Sequence, residues 1–289
     1  MFGNTYPTAI AKMKKLTIGM ATYDDYDGVF FSVQAIRMYH PEVTDQIELL
    51  VIDNNPDSPS GKEVNNFIEN YVPNGRYIPF TEYNSSFVKG KVFEEAQGDY
   101  VLCIDCHVFL VPGSLKKLID YYSIFPNTKD LIQGPLMHDE LKSFSTHFKP
   151  EWSQGMFGTW DTNQEALDKG DPFEIQMQGC GLLSCKKEHW VGFNPEFRGF
   201  GGEEWYIQEK FRQYGGNVLC LPFLKWMHRF GRPNEPQYPL EMYDRIRNYI
   251  IGWIELYGNK KDERVLSIVE HFVEIGYEKE KIMEFLKTK

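Results

Sequence analysis

The first half of the chain alternates short apolar segments, typical of buried strands, with segments whose apolar residues recur at helical spacing. The predicted strands cover residues 16–21, 47–52, 76–80 and 99–104, and the predicted helices cover residues 29–39, 62–71 and 86–96. This β-α-β order predicts an α/β fold with a mostly parallel sheet covered by helices. Since ligands of such sheets bind beyond the carboxyl ends of the strands, we expect the functional residues there.

The second half of the chain shows a less regular alternation of the same patterns. We predict a strand over 180–185, a helix over 203–214, a strand over 217–222, a proline-rich loop over 229–239, and helices over 243–257 and 262–286. Residues 143–173, rich in aromatics and glycine, predict a long irregular loop with a functional role. The predicted organisation is one domain over residues 1–238, followed by a helical C-terminal extension over residues 239–289.

Composition excludes several classes of protein. The formal charge of −10 argues against double-stranded nucleic acid as the main partner. No segment approaches the roughly 18 apolar residues of a membrane span, and no signal peptide is evident, so we expect a cytoplasmic protein. The cysteines are odd in number and favour reduced, buried thiols over a disulfide framework. A redox or metal pair at Cys103 and Cys106 is disfavoured because both lie in a strand-like segment.

One apolar segment ends in Asp105-Cys106-His107, a motif that can bind metal. Residues i and i+2 of an extended chain point to the same side, so Asp105 and His107 can offer an oxygen and a nitrogen to one cation. A divalent cation held there would neutralise a diphosphate leaving group. An aspartate at a strand end is more commonly a turn residue, so the motif alone leaves both interpretations open.

The residues around this motif resemble a known family. Residues 87–115 contain, in order, Ala96-x-Gly98-Asp99-Tyr100, an apolar strand, Asp105-x-His107 and Pro112-Gly113-x-Leu115. This order is similar to that of glycosyltransferases with the GT-A (Rossmann-like) fold, and its histidine variant resembles the polypeptide N-acetylgalactosaminyltransferases. Further matches are Gly179-Cys180-Gly181-Leu182, Phe200-Gly201-Gly202-Glu203-Glu204 and Met227-His228-Arg229-Phe230. The resemblance covers roughly residues 16–233.

The resemblance implies a metal site formed by Asp105, His107 and His228. One carboxylate and two imidazoles suit Mn²⁺, or Mg²⁺, with the diphosphate of a UDP-sugar donor completing the coordination. A non-haem iron oxygenase also uses two histidines and one carboxylate, but such sites usually lie in all-β folds. A core histidine beside Trp226 is the less favoured alternative for His228.

The resemblance also implies where the donor binds. Thr22, Tyr23 and Asp25 match the loop that holds uracil and ribose, and Asp53 matches a carboxylate that contacts the base. Carboxylates accept hydrogen bonds from ribose hydroxyls and from the uracil N–H. Gly181 and Gly202 fall in segments whose backbone approaches the donor closely. The polar residues could instead only cap strand ends.

Three further residues are candidates for catalysis. Glu203 matches a glutamate that contacts the sugar or the acceptor. Glu204 occupies the position of the general base in inverting relatives with Gly-Gly-Glu-Asp, such as the similar β-1,4-galactosyltransferases. The N-acetylgalactosaminyltransferases have asparagine there and retain configuration, so both outcomes stay open, with inversion slightly favoured. Arg232, like Arg229, lies in the proline-rich loop and could approach the departing diphosphate.

The remaining alternatives concern partners and rival activities. The acceptor could be a saccharide, a protein or another hydroxyl compound, and a nucleic-acid acceptor is the least favoured. A nucleotidyltransferase or a catalytically inactive sugar-binding protein could share this sheet, but the acidic first loop and the metal motif argue against both. The lack of the family's membrane anchor and lectin domain favours a bacterial or viral enzyme. For Lys89 and Lys91, the helical pattern favours a solvent-exposed face.

Overall fold

The structure, a computed structural model, describes residues 15–82, 85–231 and 240–287. Strands and helices alternate in its first part as the sequence predicts. The order is β1 (Leu16–Thr22), α1 (Tyr26–Tyr39), β2 (Ile47–Asp53), α2 (Pro59–Tyr71), β3 (Gly75–Pro79), α3 (Lys89–Glu95), β4 (Tyr100–Asp105), β5 (Val108–Leu110), α4 (Ser114–Ile124) and β6 (Leu131–Gln133).

The second part contains shorter strands and more helices. It comprises β7 (Leu136–Met137), β8 (Phe144–Ser145), β9 (His147–Ser153), β10 (Met156–Asp161), α5 (Gln164–Lys169), β11 (Phe173–Glu174), β12 (Leu182–Lys186), α6 (Glu204–Gln213), β13 (Val218–Cys220) and β14 (Trp226–His228). The C-terminal helices are α7 (Met242–Tyr257), α8 (Glu263–Glu274) and α9 (Lys279–Phe285).

The central sheet has eight strands in the order β11-β13-β6-β12-β4-β1-β2-β3. Strand β1 pairs in parallel with β2 and β4, and β3 extends the parallel part, whereas β12 runs antiparallel between β4 and β6. Smaller sheets are formed by β5-β14-β7-β8 and by the β9–β10 hairpin. The predicted mixed α/β architecture, with a mostly parallel sheet flanked by helices, is confirmed.

Burial on both faces explains why the parallel strands are continuously apolar. All seven positions of β2 are buried. Leu49 and Val51 contribute to the apolar cluster on one side of the sheet, while Leu50 and Ile52 contribute to the cluster on the other side. The side chains alternate between faces, so a sheet with helices on both sides favours apolar residues at most of its positions.

The middle segment differs from the predicted irregular loop. Residues 143–173 contain β8, the β9–β10 hairpin and α5. The hairpin turns at Gln154, which has a positive φ of 54°, and its register shifts between Phe157 and Thr159, where Gly158 has a φ of 129°. These irregularities and the polar outer face of β9 obscure the two-residue alternation from which strands are predicted.

The C-terminal helices pack into the main core. Tyr249 and Trp253 of α7 and Phe272 of α8 belong to the same apolar cluster as Phe157 and Tyr206. The single helix predicted over 262–286 is divided in two because Gly276 adopts a φ of 103°. The predicted boundary at 238/239 lies outside the described residues.

Two composition-based predictions can be compared with the structure. All five cysteines, Cys103, Cys106, Cys180, Cys185 and Cys220, are free and buried. Among the described helices, none combines the length and the apolar character needed to cross a bilayer.

Candidate active site

A cleft of about 420 Å³ opens where β1 and β4 end. Its wall combines charged groups with aromatic rings, and several segments that are distant in sequence contribute to it. The charged and imidazole side chains are Asp25, Lys89, Asp105, His107, Glu203, Glu204, His228 and Arg245. The cleft therefore lies at the edge of the sheet at which the sequence predicts ligand binding.

Three potential metal ligands converge at one end of this cleft. Oxygen or nitrogen atoms of Asp105, His107 and His228 all lie within 4.8 Å of one another. His107 Nε2 is 3.0 Å from His228 Nε2, and the latter is 3.3 Å from Asp105 Oδ2. Ligand atoms that share one divalent ion at roughly 2.1 Å lie about 3 Å apart, so the set fits such an ion.

Strand pairing accounts for this convergence. Asp105 is the last residue of β4, and the chain turns through Cys106 and His107 before β5. Strand β14 pairs antiparallel with β5, with His228 opposite Val108. Because the two strands share a small sheet, residues 121 positions apart in sequence lie next to each other. A turn, rather than the extended geometry expected from the sequence, presents Asp105 and His107 together.

A carboxylate orients the first imidazole. His107 Nδ1 lies 2.9 Å from Asp25 Oδ2, which leaves Nε2 facing His228. Burial disfavours ionisation of Asp25, but the hydrogen bond and charge of His107 outweigh it and lower the pKa of Asp25 to about 2. Metal-binding histidines commonly donate their second ring N–H to a carboxylate in this way. The Asp25 carboxylate also accepts a hydrogen bond from the Arg229 Nη2 group at 3.2 Å.

The two imidazoles approach each other closely enough to share a proton or a cation. Two neutral rings cannot both direct lone pairs at each other across 3.0 Å without repulsion, so a proton or a cation has to lie between them. His228 Nδ1 is buried and has no hydrogen-bond partner among the described residues. The donor chemistry of this trio, one carboxylate and two imidazoles, therefore fits a divalent metal.

Lys89 differs from the solvent-exposed position expected for it. Its side chain is buried, with Nζ 2.6 Å from Asp105 Oδ1 and 3.0 Å from the carbonyl oxygen of Cys180. Burial raises the pKa of Asp105, but Lys89 and the two histidines outweigh it, so this pKa lies well below its usual value. Burial of a helix face is predicted from apolar residues on it. Because lysine is charged, the sequence pattern predicted an exposed position for Lys89.

Two adjacent buried carboxyls form the next part of the cleft. Glu203 and Glu204 are 4% and 8% exposed, and one oxygen of each, Oε2, has no described hydrogen-bond partner. Burial, followed by repulsion from Glu204, raises the pKa of Glu203, and burial also raises the pKa of Glu204. Both carboxyls therefore favour the protonated form more strongly than an exposed glutamate does.

Helix α7 contributes cleft residues that no sequence motif had indicated. Arg245 stacks on Phe200 with 5.3 Å between guanidinium and ring, and its charge opposes the raised pKa of Glu203 and Glu204. The Tyr249 hydroxyl accepts a hydrogen bond from the Phe157 N–H at 2.9 Å. Both residues lie on a helix that the sequence assigns to the C-terminal extension. No motif therefore indicated that they contribute to the cleft at the strand ends.

The predicted nucleotide-binding residues divide into two groups. Tyr23 and Asp25 line the cleft, whereas Thr22 and Asp53 are buried beside it at adjacent strand ends. Asp53 accepts hydrogen bonds from the Tyr77 hydroxyl and the Asn55 N–H, both at 2.8 Å. These two hydrogen bonds hold the buried Asp53 carboxylate against Tyr77 and the loop after β2.

The two glycines predicted to approach the donor lie close to the cleft. Gly181 lines the cleft, and a Cβ there would lie 3.3 Å from Asp105 Oδ2. Gly202 has a φ of 93°, which favours glycine, and is buried behind Gly201 of the cleft wall. Arg232 lies outside the described residues.

Comparison with protein families matches residues 17–176 to "Glycosyl transferase family 2", a segment that covers more than half of the chain. The chain belongs to glycosyl transferase family 2. The matched segment of this family 2 chain contains Asp25, Asp105 and His107, whereas Glu203, Glu204 and His228 lie beyond it. No curated protein matches the sequence.

Two solved structures share the fold of this family 2 chain. A crystal structure of GalNAc-T7 with UDP, GalNAc and Mn²⁺ superposes with a TM-score of 0.69 at 14% identity, covering 96% of this chain and 55% of that one. A structure of S. aureus TarS 1-349 in complex with UDP-GlcNAc gives a TM-score of 0.55 at 13% identity, covering 90% and 73%. The family 2 chain thus spans about half the length of the GalNAc-T7 chain, and its GT-A-like fold is confirmed.

Proposed function

We propose that this protein is a metal-dependent glycosyltransferase that moves a sugar from a UDP-sugar to a hydroxyl acceptor. The convergence of Asp105, His107 and His228 in the cleft carries this proposal, because three ligand atoms from two distant segments meet within 4.8 Å. Family membership and the bound UDP or UDP-GlcNAc of the two structural neighbours support it. The free thiols are compatible with a reducing cytoplasm.

The metal end of the cleft would receive the donor diphosphate. Asp105, His107 and His228 would hold Mn²⁺ or Mg²⁺, and the cation supplies positive charge to the leaving group. Asp25 fixes the His107 ring, and Lys89 fixes the Asp105 carboxylate. Both contacts restrict the ligands before any substrate arrives, which reduces the reorganisation needed for binding.

Other residues would hold the nucleotide. We assign Tyr23 and Asp25 to the uridine side, because both line the cleft at the end of β1. Thr22 and Asp53, which are buried at adjacent strand ends, would stabilise the loop that contains Tyr23 and Asp25. The backbone at Gly181 and Gly202 would approach the donor sugar, and Arg229 together with Arg232 would face the departing diphosphate.

The carboxyl pair would act on the acceptor. We assign Glu204 as the base that takes the acceptor proton, which favours inversion, and Glu203 to a contact with sugar or acceptor. The unpartnered Oε2 atoms support this assignment, because sugar hydroxyls would satisfy them. Retention of configuration is the alternative, and the anomeric configuration of the product distinguishes the two.

The proposal is tested by hydrolysis and transfer with UDP-glucose, UDP-galactose, UDP-GlcNAc and UDP-GalNAc, each with Mn²⁺ and with EDTA. At least one donor should turn over only with metal, and Asp105→Ala should lower the rate at least ~100-fold. Asp99→Ala is the control, since this exposed residue precedes the same strand. Metal-independent turnover, or equal rates in Asp105→Ala and wild type, would refute the proposal.

A further inference from the structure

A second depression, the aromatic trough, has a volume of about 460 Å³. Its aromatic residues are Trp152, Phe157, Trp205, Trp253 and Tyr257. This volume is within the roughly 300–1,000 Å³ of small-molecule sites. The trough is separate from the cleft and none of the motifs discussed above accounts for it.

Helix α7 lines both the cleft and the trough, one after the other along its length. At successive four-residue steps, Arg245 and Tyr249 line the cleft, while Trp253 and Tyr257 line the trough. Residues spaced by four form a row that winds slowly around a helix, so one continuous row of α7 passes from the cleft to the trough. The β9–β10 hairpin repeats this arrangement, with the Phe148–Trp160 pair facing the cleft and the Trp152–Phe157 pair facing the trough.

Helix α8 contributes the polar part of the trough wall. Arg264, Ser267, Glu270, His271 and Glu274 recur at helical spacing and all line the trough. Glu270 and Glu274 are exposed, and within the described parts of the chain the side chain of neither makes a hydrogen bond or an ion pair. These carboxylates are therefore available as acceptors to a ligand that lies on the aromatic rings.

One buried donor in the trough also lacks a partner. Trp253 is 4% exposed, and its indole Nε1 has no hydrogen-bond partner among the described residues. A buried indole N–H usually finds an acceptor, so Trp253 leaves one donor in the trough wall unsatisfied by the described residues.

The charges around the rings select among ligand classes. The Arg264 guanidinium lies 3.4 Å from the Tyr257 ring centroid and that of Arg212 lies 5.2 Å from Trp205, so one face of each of these rings already carries a cation of the protein. A ligand cation would compete with them, and an anion would be repelled by Glu270 and Glu274. A neutral ligand with apolar faces and many hydroxyls satisfies the rings and the carboxylates together.

We propose that the aromatic trough is a second saccharide-binding site, which holds an inner part of an oligosaccharide acceptor while the cleft acts on its end. The acceptor role rests on the proposed transferase activity, but saccharide binding by the trough does not. Aromatic rings would pack on the C–H faces of the pyranoses, and Glu270 and Glu274 would accept hydrogen bonds from hydroxyls.

The test measures binding of cellotetraose, maltotetraose and chitotetraose to the full chain by calorimetry and ligand-observed NMR, in EDTA and without nucleotide. We expect at least one tetrasaccharide to bind, and Trp205→Ala to weaken it at least ten-fold. The paired change Glu270→Gln and Glu274→Gln should weaken it similarly, and these exposed positions keep the test valid where Trp205→Ala fails to fold. Glu284→Gln, an exposed acidic position on α9, is the matched control.

Binding of UDP with Mn²⁺ is measured on the same variants and should not change. Failure of all three tetrasaccharides to bind the wild-type chain would overturn the proposal, as would equal binding by the trough variants. Tetrasaccharide binding in a wild-type chain that turns over no UDP-sugar would refute the transferase activity and leave the saccharide site supported.

Discussion

At the scale of single residues, His107 is held on both sides of its ring. Asp25 faces its Nδ1 atom at 2.9 Å, and His228 faces its Nε2 atom at 3.0 Å. We expect Asp25→Asn to weaken Mn²⁺ binding roughly 10- to 100-fold, because the neutral amide no longer stabilises the orientation and basicity of the imidazole. Calorimetric titration measures this, and Asp27→Asn, in the exposed first turn of α1, is the control. Unchanged affinity in Asp25→Asn would contradict the assignment.

A second prediction at this scale concerns pH. Because folding raises the pKa of Glu203, the native chain holds this proton more tightly than the unfolded chain, and stability falls as pH rises from about 4.5 through the native value. Glu203→Gln should therefore be more stable than wild type by on the order of 1 kcal/mol at about pH 8, and no more stable near pH 4. Urea unfolding at both values measures the difference, with the exposed Glu280→Gln as control. A variant less stable at the higher pH would contradict the raised pKa.

At the scale of elements, the turn before α6 carries a conformational constraint. Gly202 has a φ of 93°, and a Cβ there would lie 3.0 Å from Asn248 Cβ and 3.2 Å from the Tyr249 N atom. Gly202→Ala should cost about 2 kcal/mol of unfolding free energy through strain and crowding against α7. Gly170→Ala isolates the strain alone, since that position has a φ of 77° and nothing within 4 Å. Thermal denaturation should show the larger loss at Gly202, and equal losses would refute the close approach.

The regular elements could be predicted because burial imposes a simple pattern on them. Strands β1, β2 and β4 are largely buried on both faces and therefore mainly apolar, and the sequence locates them within one or two residues. The β9–β10 hairpin could not be predicted, since its bulge at Gly158 and half-exposed outer face break the alternation. In the site, Asp105 and His107 follow a predictable strand, whereas the burial of Lys89 and the approach of Arg245 depend on packing between distant elements.

At the scale of the whole molecule, the C-terminal helices share the core that supports the cleft. Phe272 of α8 is fully buried against Trp152 and Tyr249, and the latter lines the cleft. Phe272→Ala should cost about 3–5 kcal/mol, and unfolding should remain a single transition. Phe31→Ala, at a side chain that is 52% exposed, should change stability by less than about 0.5 kcal/mol. A separate early transition for α8 and α9 would show instead that they form an independent unit.

The central claim is that three side chains from β4, the following turn and β14 bind one divalent cation. The most direct measurement is the anomalous difference density of crystals soaked with Mn²⁺ and UDP, collected for wild type and for His228→Ala. We predict one strong peak within bonding distance of Asp105, His107 and His228, and its loss in the variant. A peak elsewhere, or none near these side chains in the wild-type chain, would contradict the account.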